Sequence, residues 1–129
     1  MEKKNNNSNV NVVAINFTEL TKKMFKPYQK TCFDLTNLFK EIFENRLSGN
    51  KNLLLKQSKK KLLKLLDKSP FELPESEITY IKSIKDLKEI LGYIGINMKG
   101  VKENLMNHPF FEVAELELPI ICVGGIDMY

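Results

Sequence analysis

The chain has 129 residues, of which 43% are hydrophobic and 28% are charged. These proportions are typical of globular proteins and exclude disorder over the whole chain. The length suits one domain with its own core. We expect a disordered, Asn-rich start at residues 1–8, followed by a single α+β domain at residues 9–129.

The cysteine content indicates a reducing compartment. Cys32 and Cys122 are the only cysteines, too few for the disulfide framework of a small secreted protein. The first residues lack the apolar segment of a signal peptide. The longest uncharged run near the end, Leu118–Ile126, is shorter than the roughly 20 residues that a membrane span needs. We therefore expect a soluble, cytoplasmic protein.

The net charge of +4 is unevenly distributed. Residues 1–68 contain 15 Lys/Arg and 6 Asp/Glu, whereas residues 69–129 contain 5 and 10. The domain thus has a basic half at 9–68 and an acidic half at 69–129, which indicates either a polyanionic partner or attraction between the halves. Arg46 is the only arginine, which argues against base-specific readout of nucleic acid. The abundance of Lys and Asn is typical of an AT-rich genome.

A strand and a long helix are predicted at the start of the domain. Val10 to Phe17 alternates in part between apolar and polar residues, which favours a strand. Thr18 is a suitable cap for a short helical stretch that reaches Pro27. A longer helix, Pro27–Leu47, starts with proline in its first turn and is stopped by Gly49. Its apolar residues recur at helical spacing: Leu35, Leu38, Phe39, Ile42 and Phe43.

The most informative segment is Lys51–Lys68, which we expect to form an antiparallel hairpin with the preceding helix. At 100° per residue it has an apolar face of Leu54, Leu55, Leu62, Leu65 and Leu66 with Ser58 among them. The opposite face carries Lys56, Lys60, Lys61, Lys64 and Lys68. Lysines at i, i+4 repel by about 0.2–0.5 kcal/mol per pair, so a polyanionic or acidic partner is one reason to keep them. The alternative is a solvated face whose lysine stems cover the apolar stripe.

The acidic half is predicted to contain two short helices between strands. A connector at residues 70–77 leads to a short strand at Ile78–Ile81. A capping box at Ser83–Asp86 opens one helix, Gly95–Asn97 turns the chain, and a second helix runs from Met98 to Asn107. The segments Phe110–Leu118 and Ile120–Val123, divided by Pro119, are expected to form one or two strands that complete a small sheet with the N-terminal strand.

The segment Ser83–Asn107 has the outline of a helix-turn-helix unit. In that interpretation Lys99, Lys102 and Asn104 form a secondary binding site in a groove of DNA. Glu103 lies among them, and the acidic charge of this half opposes phosphate contacts. The alternative is a packing unit of two short helices without any DNA contact.

We find no pattern typical of an enzyme or a metal site. His108 is the only histidine and lies at a helix end, where it would interact with terminal carbonyls. Cys32 and Cys122 are expected to be buried thiols. Phenylalanines at positions 25, 33, 39 and 43 are expected in the core, with a stacking platform for single-stranded nucleic acid as the alternative. We therefore predict no catalytic residues, no metal and no cofactor.

The expected function is that of a small, non-enzymatic, nucleic-acid-associated or regulatory protein. It would bind a polyanion, DNA or RNA, through the lysine-rich helix. The alternative is a protein-binding adaptor, inhibitor or immunity-type protein that acts by occupying an acidic surface of its partner. Homo-oligomerisation stays open, for example through the apolar C-terminal tail.

Overall fold

A computed structural model of the chain describes residues 3–119, 122, 123, 126 and 127, with side chains from residue 17 to residue 119. Its helices and strands, in chain order, are α1 (Lys3–Asn45), α2 (Lys51–Asp67), α3 (Glu75–Ser83), α4 (Leu87–Met106), α5 (Phe111–Ala114), β1 (Cys122–Val123) and β2 (Ile126–Asp127). The two strands pair with each other in antiparallel register, Cys122 opposite Asp127 and Val123 opposite Ile126.

The expected α+β class is wrong, because the described chain is helical apart from the two-residue pairing at its end. Val10 to Phe17 lies inside α1 and forms no strand. Its apolar residues fit both periods: they alternate in part, but Val10, Val13 and Phe17 also have the helical spacing of three and four. The helical spacing of apolar residues continues through Leu20 and Met24, whereas the alternation of apolar and polar residues ends at Phe17.

Two further predicted strands are also wrong. Ile78–Ile81 lies in α3, which starts after Pro74 and has Glu75 and Glu77 in its first turn, as expected for a helix N-terminus. Phe110–Leu118 contains the single turn of α5, which ends at Glu115 with φ 51°. No described residue of that segment belongs to a strand. Of the strand predicted at Ile120–Val123, positions 120 and 121 lie outside the described residues.

The helix-turn-helix unit predicted at Ser83–Asn107 is wrong as well. Gly95–Asn97 forms no turn but lies in the middle of the continuous helix α4. The buried residues run across the glycine at spacings of four, four, three and four: Ile90, Ile94, Met98, Val101 and Leu105. The N-cap is Asp86, whose carboxylate accepts a hydrogen bond of 2.7 Å from the Glu89 amide, so the cap lies three residues later than predicted.

Helix α1 passes through Pro27 without ending. A proline inside a helix removes one backbone hydrogen bond and costs about 3 kcal/mol. The predicted start at Pro27 is therefore wrong: burial of Phe25, Cys32 and Leu35 on both sides of the proline offsets that cost. The Thr31 hydroxyl donates to the Pro27 carbonyl at 2.9 Å.

The predicted hairpin of α1 and α2 is confirmed. Gly49 adopts the left-handed φ of 69° that the turn requires. The side chain of Asn50 then caps α2 by accepting hydrogen bonds from the amides of Asn52 and Leu53. On the apolar face of α2, Ser58, Leu62 and Leu66 are buried, and the remaining leucines of that face are partly buried.

Two adjoining clusters form the core, and α1 contributes to both. The larger lies between the C-terminal half of α1, α2, α3 and α4: Leu35, Leu38, Phe39, Ile42, Leu62, Leu66, Ile81, Ile84, Ile90, Ile94 and Met98. The smaller contains Phe25 and Cys32 of α1, Val101 and Leu105 of α4, and Ala114 of α5. Phe33, expected in the core, is 39% exposed.

Within the described part of the chain, no helix is both long and apolar enough to cross a membrane. The division into a disordered start at residues 1–8 and one domain at residues 9–129 stays a prediction, although the backbone of α1 begins at Lys3.

The burial of the α2 apolar face predicts a difference between leucines of one helix. Leu62→Ala or Leu66→Ala should lower the free energy of unfolding by about 2–4 kcal/mol, because each leaves a cavity in the larger cluster. Leu53→Ala, at an exposed position of the same helix, should change it by less than about 0.5 kcal/mol. Urea unfolding measures all three, and equal effects would show that α2 does not pack as described.

The continuity of α4 predicts the effect of a second substitution. A Cβ added at Gly95 meets no atom within 4 Å, so Gly95→Ala should stabilise the protein by about 0.5–1 kcal/mol through helix propensity. Gly49→Ala should destabilise it by about 1 kcal/mol, because φ there is positive. Thermal unfolding of the two variants measures both effects. A destabilised Gly95→Ala variant would instead support a turn at this glycine.

Candidate functional site

The candidate site is the exposed face of α2, here called the lysine face: Lys56, Lys60, Lys64 and Lys68. All four side chains are exposed. They point outward because Ser58, Leu62 and Leu66 hold the opposite side of the helix in the core. The first and last of these lysines are twelve residues apart, which is about 18 Å along a helix.

Other lysines of α2 are bound within the molecule. Lys61, which the sequence places with the lysine face, forms an ion pair with Glu41 of α1 at 2.8 Å. Lys59 donates to the carbonyl of Ile84 at 2.8 Å and also to that of Lys82. Among the described side chains, no ion pair or hydrogen bond involves Lys56, Lys60, Lys64 or Lys68, so their charges are available to a partner.

Two depressions flank the lysine face. The larger, about 660 Å³, lies between α1 and α2, and Lys64, Lys68 and Pro27 are in its wall. Lys30 and Asp34, paired at 2.7 Å, line its α1 side. The smaller depression, about 290 Å³, contains Lys56, Lys60 and Lys82. The lysine face is therefore a ridge between two depressions, and on its α1 side the charges of Lys30 and Lys61 are compensated by Asp34 and Glu41.

The structure separates the predicted secondary site. Lys102 is only 6% exposed and lies near Cys32, and its burial lowers the pKa of its ammonium group. It is unavailable to a ligand at the surface. Lys99 and Asn104 are exposed on α4, and Asn104 lines an apolar cavity of about 220 Å³ with Phe25 and His108.

The residues considered for catalysis are used structurally. The His108 Nδ1 accepts a hydrogen bond of 3.1 Å from the Phe110 amide. Its ring packs edge-on against Phe25 at 4.7 Å between centroids. Cys32 is fully buried, and burial raises the pKa of its thiol from 9.0 to about 11. The side chain of Cys122 lies outside the described residues. No group of three or more His, Cys, Asp and Glu in the described part of the chain is arranged to hold a metal ion.

Sequence reasoning missed the contribution of α1 to this surface. Lys30, Asp34 and Glu41 belong to the predicted hairpin partner of α2, but periodicity does not show which polar residues of one helix face the other. The spacing of Lys30, Asp34 and Glu41 at i, i+4 and i+11 places them along one side of α1. This spacing is the feature of the sequence from which their position beside α2 could have been predicted.

Comparison with known proteins gives no relative for this chain. No protein-family model matches it, and no curated protein or solved structure is significantly similar to it. Its function is therefore argued from the surface just described.

The burial of Cys32 predicts a thiol of low reactivity. Raising the pKa from 9.0 to about 11 lowers the thiolate fraction at pH 8 about 100-fold, and the thiolate is the reactive form. In a Cys122→Ala background, alkylation of Cys32 by iodoacetamide should be at least about 100-fold slower in the folded protein than in urea. Equal rates at pH 8 would contradict the described packing.

Proposed function

We propose that the protein binds nucleic acid through the lysine face of α2, contacting the phosphate backbone without base-specific readout. The observation that carries the proposal is the set of four exposed lysines without internal partners on one rigid helix. Phosphate contacts of this kind supply most of the affinity in sequence-independent binding.

The dimensions of the lysine face suit a phosphate backbone. Lys56 to Lys68 extends about 18 Å, and phosphates of one duplex strand repeat about every 3.4 Å along its axis. The four ammonium groups therefore span about five phosphates. They are arranged at i, i+4 steps, at a mutual repulsion of about 0.2–0.5 kcal/mol per pair, which an anionic backbone would relieve.

The absence of arginine from this surface supports binding without sequence preference. The single arginine, Arg46, is used within the molecule: its guanidinium lies 3.6 Å from the centroid of the Phe43 ring and donates to the Phe43 carbonyl at 2.6 Å. Lysine is a flexible point charge and lacks the bidentate geometry that reads guanine.

Binding without catalysis and a cytoplasmic location are parts of the same proposal. His108 and Cys32 both have packing roles, which supports a binding protein over an enzyme. The unpaired, buried thiol of Cys32 suits a reducing compartment, where nucleic acid is also present. The competing class, an adaptor or inhibitor that covers an acidic protein surface, would use the same lysines and is an outcome of the test below.

A variant with Lys56, Lys60 and Lys64 changed to Gln tests the proposal. Fluorescence anisotropy with random duplex and single-stranded oligonucleotides at several salt concentrations should show weaker binding. The slope of log K against log salt should fall by about 2–3, because each lost phosphate contact contributes about 0.7–0.9. Stability should be unchanged or slightly higher, since repulsion along the helix is relieved.

The matched control changes Lys23, Lys26 and Lys40 of α1 to Gln. These lysines are also exposed, so the loss of net charge is the same, and binding should fall much less than in the α2 variant. Equal losses would mean that net charge alone attracts the nucleic acid. A parent protein that binds polyglutamate but no oligonucleotide would replace the proposal with the acidic-protein alternative.

A further inference from the structure

A cleft of about 380 Å³, here called the basic cleft, lies where the turn between α1 and α2 meets the start of α4. Its wall contains four cationic side chains: Arg46, Lys51, Lys85 and Lys88. Asp86 is the one carboxylate that the described residues place in this wall. That carboxylate is occupied in capping α4, because it accepts the hydrogen bond of the Glu89 amide at 2.7 Å. The cleft therefore has an excess of positive charge.

The cations of the basic cleft are available to a ligand. Lys51, Lys85 and Lys88 are exposed, and their side chains form no ion pair or hydrogen bond with any described residue. Arg46 is half-buried and held in place, since its guanidinium lies over the Phe43 ring and its Nη1 donates to the Phe43 carbonyl. The other N–H groups of this fixed planar fork are free to bind a phosphate in bidentate fashion.

The positions of the lysines oppose the dipoles of two helices. Lys51 is the first residue of α2 and Lys88 is the second residue of α4, while α2 has no acidic residue in its first turn. The N-terminal end of a helix favours anions and disfavours cations, so this arrangement costs stability in the free protein. A bound anion would remove that cost, because it attracts the lysines and also accepts hydrogen bonds from first-turn amides that the helices leave unpaired.

The remaining wall of the basic cleft is mainly apolar, with Leu47, Leu55 and Leu87. Leu55 and Leu87 also pack against the larger core cluster, which fixes this part of the wall. A ligand that fits both parts has an anionic head and an apolar body. The volume is at the lower end of the range of roughly 300–1,000 Å³ for small-molecule sites. A phosphate monoester of an organic molecule meets these requirements, since its three terminal oxygens accept hydrogen bonds from several cations at once.

We propose that the basic cleft binds a nucleotide, with the terminal phosphate among the four cations and the nucleoside against the leucines. This group has two sources, a free nucleotide or the phosphorylated end of a nucleic-acid strand. The first source does not depend on the lysine face. The second rests on the proposed function: the cleft shares Asn52 and Leu55 with the smaller depression beside the lysine face, so a strand bound there reaches the cleft past Lys56.

Isothermal titration calorimetry of the full chain at low salt tests the free nucleotide. Adenosine 5′-monophosphate should bind at one site, at least about tenfold more tightly than adenosine and more tightly than inorganic phosphate. A variant with Lys85 and Lys88 changed to Gln should bind it about tenfold more weakly. Arg46→Lys keeps the charge but loses the fork and should also weaken binding. Thermal unfolding shows that each variant is folded.

Two matched controls separate this site from general charge effects. Changing Lys23 and Lys26 of α1 to Gln removes the same net charge at exposed positions outside the cleft, and nucleotide binding should equal that of the parent. Changing Lys56, Lys60 and Lys64 to Gln should also leave it unchanged, because these lysines are not in the wall of the cleft. A loss in the first control as large as that in the Lys85 and Lys88 variant would overturn the proposal.

Fluorescence anisotropy with single-stranded oligonucleotides tests the second source. Strands with a phosphate at the 5′ or the 3′ end should bind more tightly than strands with hydroxyl ends, and the Lys85 and Lys88 variant should lose only this difference. That result supports the proposal even if the free nucleotide does not bind. A parent that binds no nucleotide and does not distinguish the strand ends would overturn it. Binding of the hydroxyl-ended strands would still test the lysine face separately.

Discussion

The structure depends on one apolar seam of α1, in which residues recur every four and then three positions. Its members are Thr21, Phe25, Tyr28, Cys32, Leu35, Phe39 and Ile42, of which all but Tyr28 are buried. Helices α2, α4 and α5 all pack on α1, and this seam contributes to both core clusters. The seam also explains why α1 continues through Pro27: the packing on both sides of the proline is part of the same surface, so ending the helix there would break it.

The lysine face follows from the same packing. Once Leu62 and Leu66 enter the core, the geometry of a helix forces the residues on the opposite side into water, and the charged end of a lysine tolerates that position well. Exposure alone is therefore no evidence of function. What distinguishes Lys56, Lys60, Lys64 and Lys68 is that Lys61 and Lys59, on the edges of the same helix, have partners within the molecule and these four have none.

The sequence predicts α2 and its apolar face well, because the segment after Gly49 is long and its leucines recur at helical spacing, a pattern that does not fit a strand. It fails at α4, where Gly95 resembles a turn although the spacing of Ile94, Met98 and Val101 crosses it. The sequence-based prediction is also wrong for Val10–Phe17, because the apolar residues of this short segment fit both a strand and a helix. Only the helical spacing continues into the rest of α1. The burial of Lys102 could not be predicted from the sequence, because it depends on the tertiary packing of α4 against α1 near Cys32. The pairing of Lys61 with Glu41 is missed for the same reason.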